Sequence, residues 1–389
     1  MGSADEMSGS AETELTPEPP AKPVRVAWMA GARSVERLGR SLQPLAIGLM
    51  DELVEIVAFA PDLADVRELP CPPVELLRYG PLRRWGFATR SLETIASEIR
   101  ARKIQLIHAL DTTSAPLART VSRELALPYL VSSYRLGAAL HPGRLGRRVA
   151  AVLAGSEPVR NDLIRHHVTS SDKIHLVRPG VYQVRHATCF TDARYSATIV
   201  AVGAMDDFNA WRTVLECFAD LHARKRDCAF FLIGNGRAEH QLRLLAEKLK
   251  IQGDITFADR QPYSQLAGIF KAADVCISPA RSRGVDMSVL LAMAAGVPVL
   301  SAGDEASDFL IDGRTVLLYP AGHTAELTVK LTGLLDDHAG ATALAESALA
   351  HLREHHTPAR AVATMANLYR RVVAAGTFVG RKAATAGAA

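Results

Sequence analysis

Short apolar runs alternate with longer amphipathic ones along most of the chain. Residues 24–30 (VRVAWMA) are apolar apart from one arginine and end at Gly31, the pattern of a buried strand and its turn. Residues 35–53 carry apolar positions at helical spacing, broken by Pro44, and residues 53–60 read as a second strand. The theme returns at 104–109 (IQLIHA), 129–132 and 151–154, each followed by a helix-like or loop segment. A second series starts at 198–203 (TIVAVG). It continues through a helix over 211–223, a strand at 230–234, a helix to Lys250, a strand at 255–257 and a helix over 263–272. Alternation of this kind builds parallel sheets with helices on both faces. The pattern predicts two Rossmann-like α/β domains that meet near residues 185–197. A last helix is expected over 358–375, with Ala361, Met365, Leu368 and Val372 on its apolar face.

Residues 274–299 (DVCISPARSRGVDMSVLLAMAAGVPV) concentrate the chemistry. Val275, Cys276 and Ile277 form a short apolar strand, and 279–286 are a polar loop. Met287, Leu290, Leu291 and Ala294 then recur at helical spacing until Gly296 and Pro298 end the helix. In such a β-loop-α-β unit the free N–H groups and the helix dipole make an anion site. Arg281 and Arg283 lie where that anion would sit, and Gly284, Met287 and Ser288 line the same turn. Asp286 is the expected N-cap. Gly31, Gly203, Gly234 and Gly236 also follow strands, the last two flanking Asn235. Each either lets a ligand ring approach the backbone or serves as an ordinary strand-to-helix turn. Taken together, at strand ends facing one crevice, they are read as a binding cleft. His108, at the end of the 104–109 strand, either points into that cleft or sits in the core; His355 and His356 are expected to lie away from it.

Composition narrows the picture. A chain of 389 residues is too long for one ordinary core, which agrees with two domains. Its 48% hydrophobic and 22% charged content is that of a water-soluble globular protein, and a net charge of +4 is too weak to imply nucleic acid. Five cysteines without CxxC spacing fit a reducing compartment and suggest no metal site. The first twenty residues are acidic and Pro/Ser-rich, without the apolar core of a signal peptide, and Glu6 spoils a myristoylation motif. The longest uncharged run, 287–303, contains Gly296 and Pro298 and does not read as a membrane span. The expected location is cytoplasmic, peripheral at most at the inner face of the membrane. Residues 76–90 (LLRYGPLRRWGFATR) interleave Arg78, Arg83 and Arg84 with Trp85. That mixture suits an anionic lipid surface or an acidic acceptor glycan, or else a loop and helix with solvated arginines and core aromatics.

Several spaced motifs coincide with those of one family. NDLIRHHVTSSDKIHLVRPGV (161–181), preceded by Ser156 at a strand end, resembles the end of the N-terminal domain in retaining GT-B glycosyltransferases of family four. TIVAVG, FFLIGNG, DITFADRQPYSQLAGIFKAADVCISPA, AMAAGVPVL and DFLIDGRTVLLYP follow in the family's order. The resemblance covers roughly residues 25 to 375. Composition reads 1–22 as a disordered tail; the resemblance implies an N-terminal acceptor domain over 23–190 and a C-terminal nucleotide-sugar domain over 196–352. A helix over 353–375 would cross back to the first domain, and a second disordered tail would fill 376–389. It implies metal-independent transfer from a nucleotide sugar to a glycan or lipid-linked acceptor with retained configuration, without a cofactor. In the family, an acid, seven other residues and a second acid span this segment, the first touching the transferred sugar and the second holding the donor ribose; here those positions carry Arg283 and Leu291. The family's diphosphate-binding Arg and Lys align to Ala204 and Asn209, and its acceptor-side His to Tyr134. Arg283 and Tyr134 are accordingly the expected catalytic residues. The alternative implied by these replacements is a catalytically inactive GT-B protein that binds a glycan, a nucleotide or a partner transferase.

Overall fold

The computed structural model of the chain describes residues 23–62, 74–80, 87–137, 140, 145–146, 148–191, 196–279 and 281–386. The first sheet comprises β1 (Val24–Met29), β2 (Val54–Pro61), β3 (Glu75–Tyr79), β4 (Leu106–Ala109), β5 (Tyr129–Ser133), β6 (Val149–Ala154) and β7 (Ile174–Leu176). All pairs are parallel, in the order β3-β2-β1-β4-β5-β6-β7. Helices α1 (Ala32–Asp51), α2 (Phe87–Ala101), α3 (Ala115–Leu125) and α4 (Glu157–Arg165) connect them. The second sheet comprises β8 (Ala197–Val202), β9 (Cys228–Ile233), β10 (Ile255–Ala258), β11 (Val275–Ser278), β12 (Val299–Ser301) and β13 (Leu317–Leu318). Its order is β10-β9-β8-β11-β12-β13, again all parallel. It carries α5 (Phe208–Ala223), α6 (Glu239–Lys248), α7 (Tyr263–Lys271), α8 (Met287–Ala294), α9 (Thr324–Asp336) and α10 (His338–His355), and α11 (Pro358–Ala386) closes the chain.

A strand buried on both faces has no polar side, which is why these strands read as continuous apolar runs. In β1, Val26 and Trp28 face one core cluster with Leu42, Leu49 and Leu368, while Ala27 and Met29 face another with Ile95, Ile99 and Val121. The β8 strand divides its residues in the same way, Ile199 and Ala201 to one side and Val200 and Val202 to the other. In each sheet the strand order reverses beside the first strand, between β1 and β4 and between β8 and β11, so a crevice opens at the carboxyl ends of the strands.

The α11 helix returns to the first domain. Val362, Met365, Ala366, Leu368 and Tyr369 complete the core cluster around β1, and Trp28 Nε1 donates to Tyr369 Oη at 3.0 Å. Gly48 in α1 allows this packing, since a Cβ there would lie 2.5 Å from a methyl of Val362. The two links between the domains run side by side: a Cβ on Gly180 would meet the Pro358 Cα at 2.7 Å, and Val181 N donates to His356 O at 2.9 Å.

Several local expectations are corrected. The α1 helix runs unbroken through Pro44; the buried stripe Leu42, Ala46 and Leu49 against α11 and the sheet outweighs the roughly 3 kcal/mol that an interior proline costs a helix. Residues 76–79, part of the basic 76–90 stretch for which no strand was expected, lie in strand β3, and β7 was not expected. The crossing helix starts at Pro358 rather than 353, because α10 occupies 338–355. It also continues through 376–386, where a disordered tail was expected; alanine, lysine and arginine favour the helix there despite two glycines.

Candidate functional site

Loops at the carboxyl ends of β5, β6, β11 and β12 meet where the two domains face each other. The β11 strand ends at Ser278, and the loop beyond it reaches Asp286, which caps α8. Its Oδ1 accepts from Ser288 N at 3.0 Å and Val289 N at 3.2 Å, and its Oδ2 accepts from Ser278 Oγ at 2.8 Å. Burial pushes the Asp286 pKa up, while these three donors oppose the rise. The anion site at the N-terminus of α8 is thus filled by the protein's own carboxylate.

A second carboxylate stands beside it. Asp304, in the loop after β12, accepts from Ala306 N at 2.7 Å, from Ser307 N, and from Ser307 Oγ at 2.8 Å. Burial pushes its pKa up to about 6, and the neighbouring Asp286 charge adds to the rise. The Ser307 hydroxyl joins the two loops, because it also accepts from Asp286 N at 3.1 Å. Sequence reasoning passed over Asp304 and Ser307. Their spacing, an aspartate followed three residues later by a serine within DEAS, is nevertheless a turn signature.

The loop continues across the domain boundary. Arg135 and Gly284 form an antiparallel bridge, Leu136 N donates to Arg283 O, and Val285 N donates to Tyr134 O, both at 2.8 Å. Arg283 is exposed and has no ion-pair partner among the described residues; its guanidinium lies over Gly137, 3.0 Å from where a Cβ would stand. Arg281 is held by Glu305 at 3.2 Å. Tyr134 is half-buried, its ring packed on Gly155, where a Cβ would lie 2.3 Å from Cδ1. Burial pushes its phenol up to about 12, so it is neutral.

Two of the strand-end glycines pack closely against a neighbouring turn of their own domain. At Gly234, with φ of 157°, a Cβ would lie 1.9 Å from Gly203 O; at Gly236 it would lie 2.3 Å from the Met205 carbonyl carbon. Asn235 is exposed and its carbonyl accepts from Met205 N at 2.9 Å. Gly31 links β1 to α1 and is half-buried. Met287 and Leu291 belong to the core of the second domain, and Ser288 spends its N–H on Asp286.

His108 lies in the core, not in the cleft. Its Nδ1 is 2.6 Å from Tyr369 Oη and its Nε2 is 2.9 Å from Ser132 Oγ. Burial lowers its pKa to about 3 and keeps the ring neutral. His356 is also buried, its Nδ1 3.0 Å from Pro179 O and its ring edge-on to Phe309 at 5.4 Å. Arg78 lies on β3 and donates to Asp62 O at 2.7 Å; Arg83, Arg84 and Trp85 fall outside the described residues. The four described cysteines, Cys189, Cys217, Cys228 and Cys276, are free thiols. No group of three His, Cys, Asp or Glu side chains among the described residues is placed to hold a metal ion.

Across the seam, Ser156 Oγ donates to Ala306 O at 2.5 Å and Glu157 N donates to Asp308 Oδ2 at 3.1 Å. Arg178 Nη2 reaches the same oxygen at 2.7 Å. Ala306, from the second domain, is wholly buried in the core of the first.

Two Rossmann-like sheets facing across such a seam, with a last helix returning to the first domain, define the GT-B architecture of glycosyltransferases. Residues 196–337 match the family model described as Glycosyl transferases group 1. A D-inositol 3-phosphate glycosyltransferase of Corynebacterium glutamicum is 25% identical over 244 residues, 58% of this chain and 58% of that relative. The chain therefore spans little more than half the length of that curated relative. A GDP-mannose-dependent phosphatidylinositol monomannoside mannosyltransferase of the same species is 27% identical over 147 residues, 36% of this chain and 38% of its own. Among solved structures, a glycosyltransferase of Rickettsia africae superposes with a TM-score of 0.72 at 13% identity, covering 91% of this chain and 99% of its own. Anabaena HepE, in complex with UDP and glucose, gives 0.68 at 14% identity over 88% and 98%. No helix among the described residues is long and apolar enough to cross a membrane.

Proposed function

We propose that this protein transfers a sugar from a nucleotide-sugar donor to a glycan or lipid-linked acceptor, with retained configuration and without a metal. It would act in the cytoplasm or at the inner face of the membrane. The observation that carries the reading is the convergence of Tyr134 and Arg283, one from each domain, at the facing strand ends of a GT-B fold. The names of the relatives and the UDP bound in Anabaena HepE support a nucleotide-sugar donor. Arg283, exposed and unpaired among the described residues, supplies the cation that would stabilise charge on a leaving diphosphate. Tyr134 would hydrogen-bond the sugar as a neutral phenol.

A second reading is a catalytically inactive GT-B protein that binds a glycan, a nucleotide or a partner transferase. One observation favours it: Asp286 and Asp304 place two carboxylates where the donor diphosphate would approach α8, and Glu305 engages Arg281. A thermal-shift screen with UDP, GDP, ADP and dTDP sugars separates the two. A donor at a hundred times its Kd should add about 2.7 kcal/mol of stability. No shift with any of the four sinks the transfer reading. Where a donor binds, Arg283→Ala should weaken it by about tenfold, as loss of a charged hydrogen bond would. Arg237→Ala, whose arginine is exposed and sits 3.6 Å from Asp206, should change it little; equal effects would remove Arg283 from the site.

A further inference from the structure

The two segments expected to flank the reacting sugar are bonded to each other. Tyr134, Arg135 and Leu136 leave β5, and Arg283, Gly284 and Val285 precede α8; one antiparallel bridge and two 2.8 Å hydrogen bonds join them. Backbones paired in this way lie about 4.8 Å apart, too close for a sugar ring to stand between them. Gly284 is buried, and a Cβ there would lie 2.9 Å from Arg135 Cγ and 3.1 Å from Tyr134 O. A residue with a branched side chain would push the segments apart, so glycine here serves contact between the domains.

Both sides of the contact are braced. Behind the first segment, Tyr134 packs on Gly155, and Ser132 ties β5 through His108 to Tyr369 on α11. Behind the second, Val285 packs against the cores of both domains, and Asp286 N is bonded to Ser307 Oγ. Bracing on both sides disfavours local bending of either segment.

We infer that these segments form an autoinhibitory latch across the cleft. Closed, it keeps backbone where the transferred sugar would lie; access to the cleft requires both hydrogen bonds to open together. The inference rests on the transfer reading for its meaning, but its test reads the latch with no sugar present, so the two can fail separately.

Hydrogen exchange on the full chain, read at Leu136 and Val285, decides it. In the wild type both amides should exchange at least about a hundredfold more slowly than an open loop. In Gly284→Val both should lose protection together, while β1 and β8 keep theirs and small-angle scattering reports a larger radius of gyration. In Leu136→Pro, which deletes one donor from the opposite side, the Val285 amide should be released as well. Wild-type exchange at the open-loop rate overturns the latch, and this comparison stands even if a variant fails to fold. Protection of Val285 that survives Leu136→Pro overturns the coupling on which it depends.

Discussion

Asp304 is an acid held where its charge is disfavoured, half-buried beside the Asp286 carboxylate. Its pKa is raised by burial first and by Asp286 second, to about 6, against roughly 3.9 for an unfolded chain. Between those values the native state binds more protons than the unfolded one, so stability falls as pH rises through the window. The contribution is on the order of 2–3 kcal/mol, fully present below about pH 4 and absent above about pH 6. Asp304→Asn keeps an oxygen for Ala306 N and Ser307 N and should remove this slope. Urea unfolding of both proteins from pH 4 to 7 checks it: the wild type should lose stability relative to the variant as pH rises, and parallel profiles would refute the assignment. Arg283 shows the opposite situation, a permanent charge with no carboxylate partner among the described residues. The arginine could be read from the sequence but its isolation could not, since absence of a partner depends on what the other domain brings near.

At the scale of elements, the central strands of both sheets were legible because a doubly buried strand needs only apolarity. Residues 24–29, 197–202 and 275–278 all read that way. The β7 strand, only three residues long, was not. Nor was the β3 strand, because Glu75 and Arg78 interrupt it at the sheet edge, where one side meets solvent. The strand-to-helix turns were found by their glycines, and the structure adds what those glycines pack against. Gly234 and Gly236 sit against Gly203 and Met205, so their role is to let two turns of one domain pack together. Gly236→Ala should accordingly destabilise the protein by about 1–3 kcal/mol through overpacking against backbone. Gly253→Ala, with nothing within 4 Å of its added methyl, should stay within about 0.5 kcal/mol. Thermal denaturation of the pair checks this; equal shifts would mean that the turns relax freely.

For the whole molecule, the family resemblance foresaw two domains and a returning helix, while the seam lay beyond sequence reading. Its contacts join residues far apart in the chain, as Ser156 with Ala306 and Arg178 with Asp308 do, and no local pattern announces them. Arg178 and Asp308 are both largely sheltered, and Asp308 also accepts from Glu157 N, so the pair connects three segments. Arg178→Ala should lower unfolding free energy by about 1–3 kcal/mol, the range for leaving a buried acceptor without its charged partner. Denaturant titration followed by tryptophan fluorescence would show it, since Trp28 and Trp211 lie in the cores of different domains. A loss under about 0.5 kcal/mol would mark the pair as solvated and inconsequential.

The return of α11 also sets an order of events in synthesis. Trp28 is synthesised long before its hydrogen-bond partner, because its indole N–H waits for Tyr369, 341 positions later. Until Val362, Met365 and Leu368 emerge, the apolar face around β1 and α1 has no cover. The second domain can complete its own cores while the first is still open, so the domain made first finishes last, and a nascent chain halted before Pro358 would present a sticky, half-built surface to whatever it meets.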